Sequence, residues 1–128
     1  MRAKVKILVV DDDERIRFVM RSVLKRLENG YTITTARDGR EALKKAQVNS
    51  CDLLITDLRM ADMGGIELTQ RLKELNPDLR VLWMTAFGCH TVREQAVTLD
   101  VYRCLDKPVE IDEIRKVVLE ALENVNHD

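Results

Sequence analysis

Short apolar runs alternate along this chain with longer stretches in which apolar residues recur every three or four positions. Val5-Lys6-Ile7-Leu8-Val9-Val10, Leu53-Leu54-Ile55-Thr56-Asp57 and Arg80-Val81-Leu82-Trp83-Met84-Thr85 are almost wholly apolar, and each meets a polar residue at its end, as buried strands do. Two further β-prone runs, 31–36 and 101–105, mix apolar and polar residues. Between the runs the helical period takes over. Ile16, Val19, Met20, Val23, Leu24 and Leu27 form one stripe, with arginines and lysines opposite and Asn29-Gly30 as the stop. A shorter helix is predicted over 41–48, after the turn Arg37-Asp38-Gly39-Arg40. Ile66, Leu68, Leu72 and Leu75 predict a third, between a flexible loop at 61–65 and Asn76-Pro77. Residues 91–99 are weakly patterned, with only Val92, Ala96, Val97 and Leu99 to bury. The last helix is well patterned, through Ile111, Ile114, Val118, Ala121, Leu122 and Val125.

Strand and helix thus alternate in five units. Units of this length predict parallel strands, right-handed crossovers and helices on both faces of one sheet. Interior strands of such a sheet are apolar on both faces, while edge strands are mixed. The first, third and fourth strands are therefore interior, and the second and fifth are edges. That pattern is the α/β flavodoxin-like (βα)5 doubly wound parallel sheet of strand order 2-1-3-4-5, with its switch point between strands one and three. Alternation puts Trp83 on the same face as Val81, in the core.

Composition changes this picture little. A chain of 128 residues fits one domain, 1–128, and 45% hydrophobic content supports a real core. A net charge of -1 does not suit a nucleic-acid binder, so no direct nucleic-acid contact is expected. No apolar run approaches the roughly 20 residues of a membrane helix, and the start lacks the features of a signal peptide. No membrane association and a cytoplasmic location are expected. Cys51, Cys89 and Cys104 show no C-x-x-C spacing, so neither zinc nor a redox pair is signalled. They read as small core or loop residues in a reducing compartment.

Chemistry collects at the strand ends. Ligands of open α/β sheets bind beyond the carboxyl ends of the strands. Asp11 and Asp12 follow the first strand, Asp57 ends the third, Thr85 ends the fourth and Lys107 follows the fifth. Three carboxylates in one crevice repel one another, and a hard cation such as Mg²⁺ relieves that repulsion. Acids, a metal and a lysine together are the layout of phosphoryl transfer. No Gly-x-x-x-x-Gly-Lys-Ser/Thr loop is present, so P-loop nucleotide binding is not supported.

Val9-Val10-Asp11-Asp12, Ile55-Thr56-Asp57-Leu58-Arg59-Met60, Met84-Thr85-Ala86 and Lys107-Pro108 together resemble the receiver domain of bacterial response regulators. Each motif alone is weak; the ordered set, spread over essentially the whole chain, is specific. The resemblance implies that Asp57 accepts a phosphoryl group from the phosphohistidine of a histidine kinase or phosphotransfer protein. It implies Mg²⁺ held by Asp12 directly, by Asp11 largely through water, by Asp57 and by the backbone carbonyl of Arg59. Thr85 and Lys107 would each take a phosphoryl oxygen, and Lys107-Pro108 would be a cis peptide. The module would be no enzyme beyond its own phosphorylation and dephosphorylation. Its output would be a binding face on the fourth helix and fifth strand, toward a downstream protein or effector domain. A homodimer through that face is left open.

The chain departs from the family pattern in places. Cys104 stands where an aromatic residue usually reports the phosphorylated state, and Tyr102 lies two positions earlier. Either could take that role. Ala61 and Gly64 replace residues that usually tighten the loop, and Gly at a helix N-cap costs only a few tenths of a kcal/mol against Asp. Arg59 and Phe87 occupy positions that tune phosphoryl lifetime in the family. Asp13 reads as a helix cap, and His90 and His127 as surface residues. A second reading, a haloacid-dehalogenase-like phosphatase, rests on Asp11-x-Asp13, with Asp11 as nucleophile and Asp13 as acid. That reading also needs a late acidic pair, which Asp100 and Asp106 fit poorly.

Overall fold

The computed structural model describes residues 4–27 and 30–123. Five strands, β1 (Lys6–Val10), β2 (Thr32–Ala36), β3 (Leu53–Asp57), β4 (Arg80–Thr85) and β5 (Arg103–Asp106), alternate with five helices. These are α1 (Glu14–Lys25), α2 (Gly39–Val48), α3 (Gly65–Leu75), α4 (Arg93–Thr98) and α5 (Ile111–Ala121). The strands pair in parallel in the order β2-β1-β3-β4-β5, the expected flavodoxin-like sheet. All five residues of β3 are buried, whereas β2 and β5 mix buried with exposed residues, as edge strands do.

Each face of the sheet carries its own apolar layer. Ile7, Val9, Leu53, Ile55, Leu82 and Met84 pack against α1 and α5. Leu8, Val10, Leu54, Val81 and Trp83 pack against α2 and α3. Fully burying one such side chain is worth about 1.5–3 kcal/mol, so these two layers dominate the stability. Trp83 lies where alternation places it, fully buried, but it needs a polar partner. Its indole Nε1 donates to Thr69 Oγ1 at 2.9 Å, and Thr69 Oγ1 donates in turn to the Gly65 carbonyl at 2.8 Å. A buried indole N–H without an acceptor would be costly.

The helix starts follow local chemistry. Asp13 caps α1, its side chain accepting from Arg15 N at 2.9 Å, as its position after the first strand implies. The second helix begins at Gly39, two residues before the expected 41. Asp38 Oδ1 accepts from Glu41 N at 2.8 Å while Glu41 Oε1 accepts from Arg37 N at 2.7 Å, and this reciprocal cap recruits Gly39 and Arg40 into the first turn. Gly64 caps α3 with no side-chain hydrogen bond. The next residue must be Gly, because a Cβ at Gly65 would overlap the Asp57 carbonyl oxygen. The third helix thus starts in direct contact with the backbone of β3.

Two predicted elements move. The segment 91–99 is divided into a 3₁₀ turn, Cys89–Val92, and the short α4, which buries no residue. The last strand begins at Arg103 rather than 101. Asp100 takes a positive φ of 55°, and Val101 N donates to Ala96 O at 2.9 Å, so Val101 closes the helix instead of joining the strand. Tyr102 consequently precedes β5. The stop at Asn29, the stripe end at Val125 and His127 lie outside the described residues.

Candidate functional site

The carboxyl ends of β1 and β3 bring three acids together. One oxygen from each of Asp11, Asp12 and Asp57 can be chosen so that all lie within 4.8 Å of one another. Asp11 is fully buried, Asp57 is 7% exposed, and Asp12 reaches solvent. Lys107 comes from the far side, just after β5. Its Nζ donates to Asp11 Oδ2 at 2.9 Å and lies 3.2 Å from Asp57 Oδ2. The other Asp57 oxygen, Oδ1, accepts from Leu58 N at 2.8 Å. Both oxygens of the Asp57 carboxyl are therefore held, and its plane is fixed.

The electrostatics are those of a crowded acid site. Burial pushes the Asp11 carboxyl up from its ordinary value, and the nearby charge of Asp57 adds to that. The hydrogen bonds from Lys107 and from Asp13 N only partly offset the rise. For Lys107 burial acts downward, but the Asp11 hydrogen bond and the charges of Asp11 and Asp57 outweigh it, and the net shift is up. Lys107 stays a cation. One lysine set among three carboxylates leaves the cluster negative. Oxygen donors only, two of them buried and one open to solvent, suit a hard divalent cation such as Mg²⁺ that keeps part of its water shell.

Thr85 ends β4 in the same crevice and is nearly buried. Its Oγ1 accepts from Phe87 N at 3.1 Å, so the hydroxyl is engaged by its own loop. Its carbonyl accepts from Lys107 N at 2.8 Å, which ties β4 to the lysine loop. The Lys107-Pro108 peptide is cis. Arg59 and Phe87 meet: the guanidinium carbon sits 4.1 Å from the ring centroid. That contact bridges the loop after Asp57 and the loop after Thr85. The sequence marks both residues but not their pairing.

Three features run against the sequence reading. Cys89 and Cys104 are joined by a disulfide, with their Cα atoms 5.8 Å apart, whereas the spacing of the cysteines signalled no redox pair. The two meet only because β4 and β5 are neighbours and the 3₁₀ turn folds back over β5. The reading of small core or loop residues holds for Cys51, which is buried and whose thiol burial pushes up to about 12. Tyr102 does not stand in for the missing aromatic from within a strand. It is an exposed ring outside β5, its centroid 5.6 Å from the Arg103 guanidinium carbon. Thr69 was missed altogether, since a lone threonine inside a helix carries no sign of its buried partner.

The phosphatase alternative fails at Asp13. Its side chain is committed to capping α1, where it accepts from Arg15 N, and is not among the three clustered acids.

A parallel 2-1-3-4-5 sheet thus carries three acids at its switch point and a lysine that reaches them from beyond β5. The sequence profile of the response regulator receiver domain matches residues 7–119, and the chain belongs to that family, the receiver domains of two-component signalling. It is 34% identical over 117 residues to sporulation initiation phosphotransferase F of Bacillus subtilis (strain 168), covering 91% of this chain and 93% of that protein. It is 37% identical over 124 residues to sensor protein EvgS of Escherichia coli (strain K12), covering 97% of this chain but 10% of that protein. The chain thus spans only a small part of some curated relatives it matches. Among solved structures it resembles Vibrio cholerae chemotaxis protein CheY4, with TM-score 0.84 and 30% identity over 94% of this chain and 100% of that one. Among the described residues no helix is long and apolar enough to cross a membrane.

Proposed function

We propose that Asp57 is the phosphoacceptor of this receiver and that Asp11, Asp12, Asp57 and the Arg59 carbonyl hold Mg²⁺ beside it. The observation that carries this reading is the convergence of Asp11, Asp12 and Asp57 within 4.8 Å, with Lys107 reaching both Asp11 and Asp57. An Asp57 carboxylate oxygen attacks the phosphorus of a phosphohistidine. The new O–P bond forms as the N–P bond breaks, and the electron pair leaves with the imidazole. Magnesium would supply charge neutralisation for the phosphoryl oxygens. The chain's own residues supply alignment. Leu58 N and Lys107 fix the Asp57 carboxyl, and Lys107 offers a cation to one phosphoryl oxygen. Thr85 Oγ1 accepts from Phe87 N and its O–H is left to donate to another phosphoryl oxygen.

The same proposal covers the wider setting. The partners are a histidine kinase or phosphotransfer protein upstream and a downstream protein or effector domain. The unit is a single domain over 1–128 in the cytoplasm, and it catalyses only its own phosphorylation and dephosphorylation. The test is intact mass after incubation with acetyl phosphate, with and without Mg²⁺, on the native chain and on Asp57→Asn. One added phosphoryl group that needs magnesium and is absent in Asp57→Asn is the expected result. An adduct that persists in Asp57→Asn rejects the assignment.

A further inference from the structure

We infer that Cys89 and Cys104 form a redox-active dithiol, oxidised by a low-molecular-weight disulfide, whose closed form holds the receiver in its resting state. The inference rests on the Asp57 reading above for what is controlled, but not for the thiol chemistry itself. Their Cα separation of 5.8 Å falls in the range that a disulfide bridges without backbone movement. Cytosolic cysteine pairs placed this way serve as transient, redox-sensing bonds more often than as structural ones.

The position of the pair gives the bond its consequence. Cys104 lies in β5 opposite Trp83 of β4, three residues before Lys107. Cys89 lies at the end of the loop that begins at Thr85. That loop is already pinned at its start, where Lys107 N donates to the Thr85 carbonyl. At its far end Cys89 N donates to Asp106 Oδ1 at 2.8 Å, and the disulfide adds a covalent tie to β5. Between the two ends Phe87 N donates to Thr85 Oγ1, so the segment is bonded back to Thr85, and Gly88 sits at a φ of 92° that few other residues adopt. Any movement of Thr85 toward a phosphoryl group on Asp57 carries this hydrogen-bonded segment with it. Closing the segment covalently opposes that shift; opening the disulfide leaves only the Cys89 N–Asp106 hydrogen bond at the far end.

The pair is also reachable. Both cysteines are half-buried on an open groove of about 410 Å³ that Asp106, His90 and Arg93 also line. Arg93 offers a cation to the carboxylates of a small anionic disulfide such as oxidised glutathione, with the Asp106 carboxylate opposing it from the same groove. One Cys thiolate attacks that disulfide, forming a mixed disulfide and releasing one thiolate. The second Cys attacks the protein sulfur of the mixed disulfide and releases the other. Two protein thiols lose two electrons and two protons, and one small disulfide becomes two thiols.

The experiment has two arms. Fully reduced protein is equilibrated in a series of reduced and oxidised glutathione, trapped with excess N-ethylmaleimide at neutral pH without denaturant and weighed. Two alkylation sites are expected to disappear together, while buried Cys51 reacts only after denaturation and serves as the internal control. Cys89→Ser and Cys104→Ser should each instead retain one glutathione. Failure of the two sites to disappear together would overturn the inference. In the second arm, beryllofluoride affinity in Mg²⁺ is measured on oxidised and reduced protein. Binding is expected to be at least about fivefold weaker when oxidised, with no redox difference in Cys104→Ser. Equal affinity in the two forms overturns the control of switching even if the disulfide forms. Absence of beryllofluoride binding in both forms overturns the phosphoryl reading instead, while the glutathione arm still reports the dithiol.

Discussion

The two sides of the sheet's carboxyl end are built to different specifications. At β1 and β3 two of the three acids are restrained. Asp11 is fully buried, Asp57 is held at both oxygens, and Gly65 lets α3 press directly on the Asp57 carbonyl. Beyond the buried β4, packing restrains α4 and β5 far less. The fourth helix has six residues and buries none of them, Val97 is 75% exposed, and β5 is a half-exposed edge. The fifth helix, by contrast, seals its side of the sheet with Ile114, Val117, Val118 and Ala121. The lesson is a division of labour. Phosphoryl chemistry needs fixed charges, whereas a switching surface needs an element whose alternative arrangement costs little.

That contrast can be broken at its rigid pole first. Lys107→Met removes the cation shared by Asp11 and Asp57. Adduct formation from acetyl phosphate is expected to slow by about 10²-fold or more, read by mass against time. A change of less than about threefold would mean that the lysine is a structural tether only.

A smaller effect tests the crowding itself. Burial raises the Asp11 pKa, so the folded chain binds a proton at pH values where the unfolded chain does not. Stability therefore rises as pH falls through the window just above the ordinary value of 3.8, and ionised Asp11 is a net cost at neutral pH. Asp11→Asn is expected to stabilise the magnesium-free protein by about 1 kcal/mol at pH 7 in urea unfolding. The gain should fade as pH drops and the native Asp11 is protonated. A loss of stability at pH 7 would show that the Lys107 pair outweighs the burial.

The Arg59–Phe87 contact sits between the two poles, since it joins a loop of each. An exposed cation–π contact is worth about 0.5–1 kcal/mol. The double variant Arg59→Ala, Phe87→Ala should shorten the phosphoryl lifetime by about two- to fivefold, because water then reaches Asp57 more freely. Unchanged hydrolysis would leave the two residues no part in it. The smallest effect belongs at the loose pole. Val97→Asp on α4 should change stability by less than about 0.5 kcal/mol while altering any contact made through that face. A larger loss would mean that Val97 is packed as Ala96 is.

The architecture was legible because two periods, near two and near 3.6, alternate cleanly in the sequence. The contrast between wholly apolar and mixed strands even gave the strand order. Asp11, Asp12, Asp57, Thr85 and Lys107 were legible because each stands where an apolar run stops. Boundaries were less so. Gly39 looks like a turn former, but the reciprocal cap of Asp38 and Glu41 pulls it into α2. Val101 and Tyr102 look like strand residues, but the backbone reversal at Asp100 keeps them out of β5. The cysteine pair was invisible because its separation of 15 matches no local rule. Only the lateral pairing of β4 with β5 and the fold-back of the 3₁₀ turn bring the sulfurs together.

The buried indole of Trp83 has an optical consequence. It is the sole tryptophan of the chain, so all indole emission comes from one fully buried site. Its nitrogen is bonded to Thr69 of α3, and its strand neighbour is Cys104, packed against the same apolar layer. The emission should lie toward the blue while the fold is intact. Sulfur bridges quench excited indoles, so the same signal should brighten when Cys104 is reduced. The chain carries its own fluorophore, buried beneath the acid site and adjacent to the cysteine bridge.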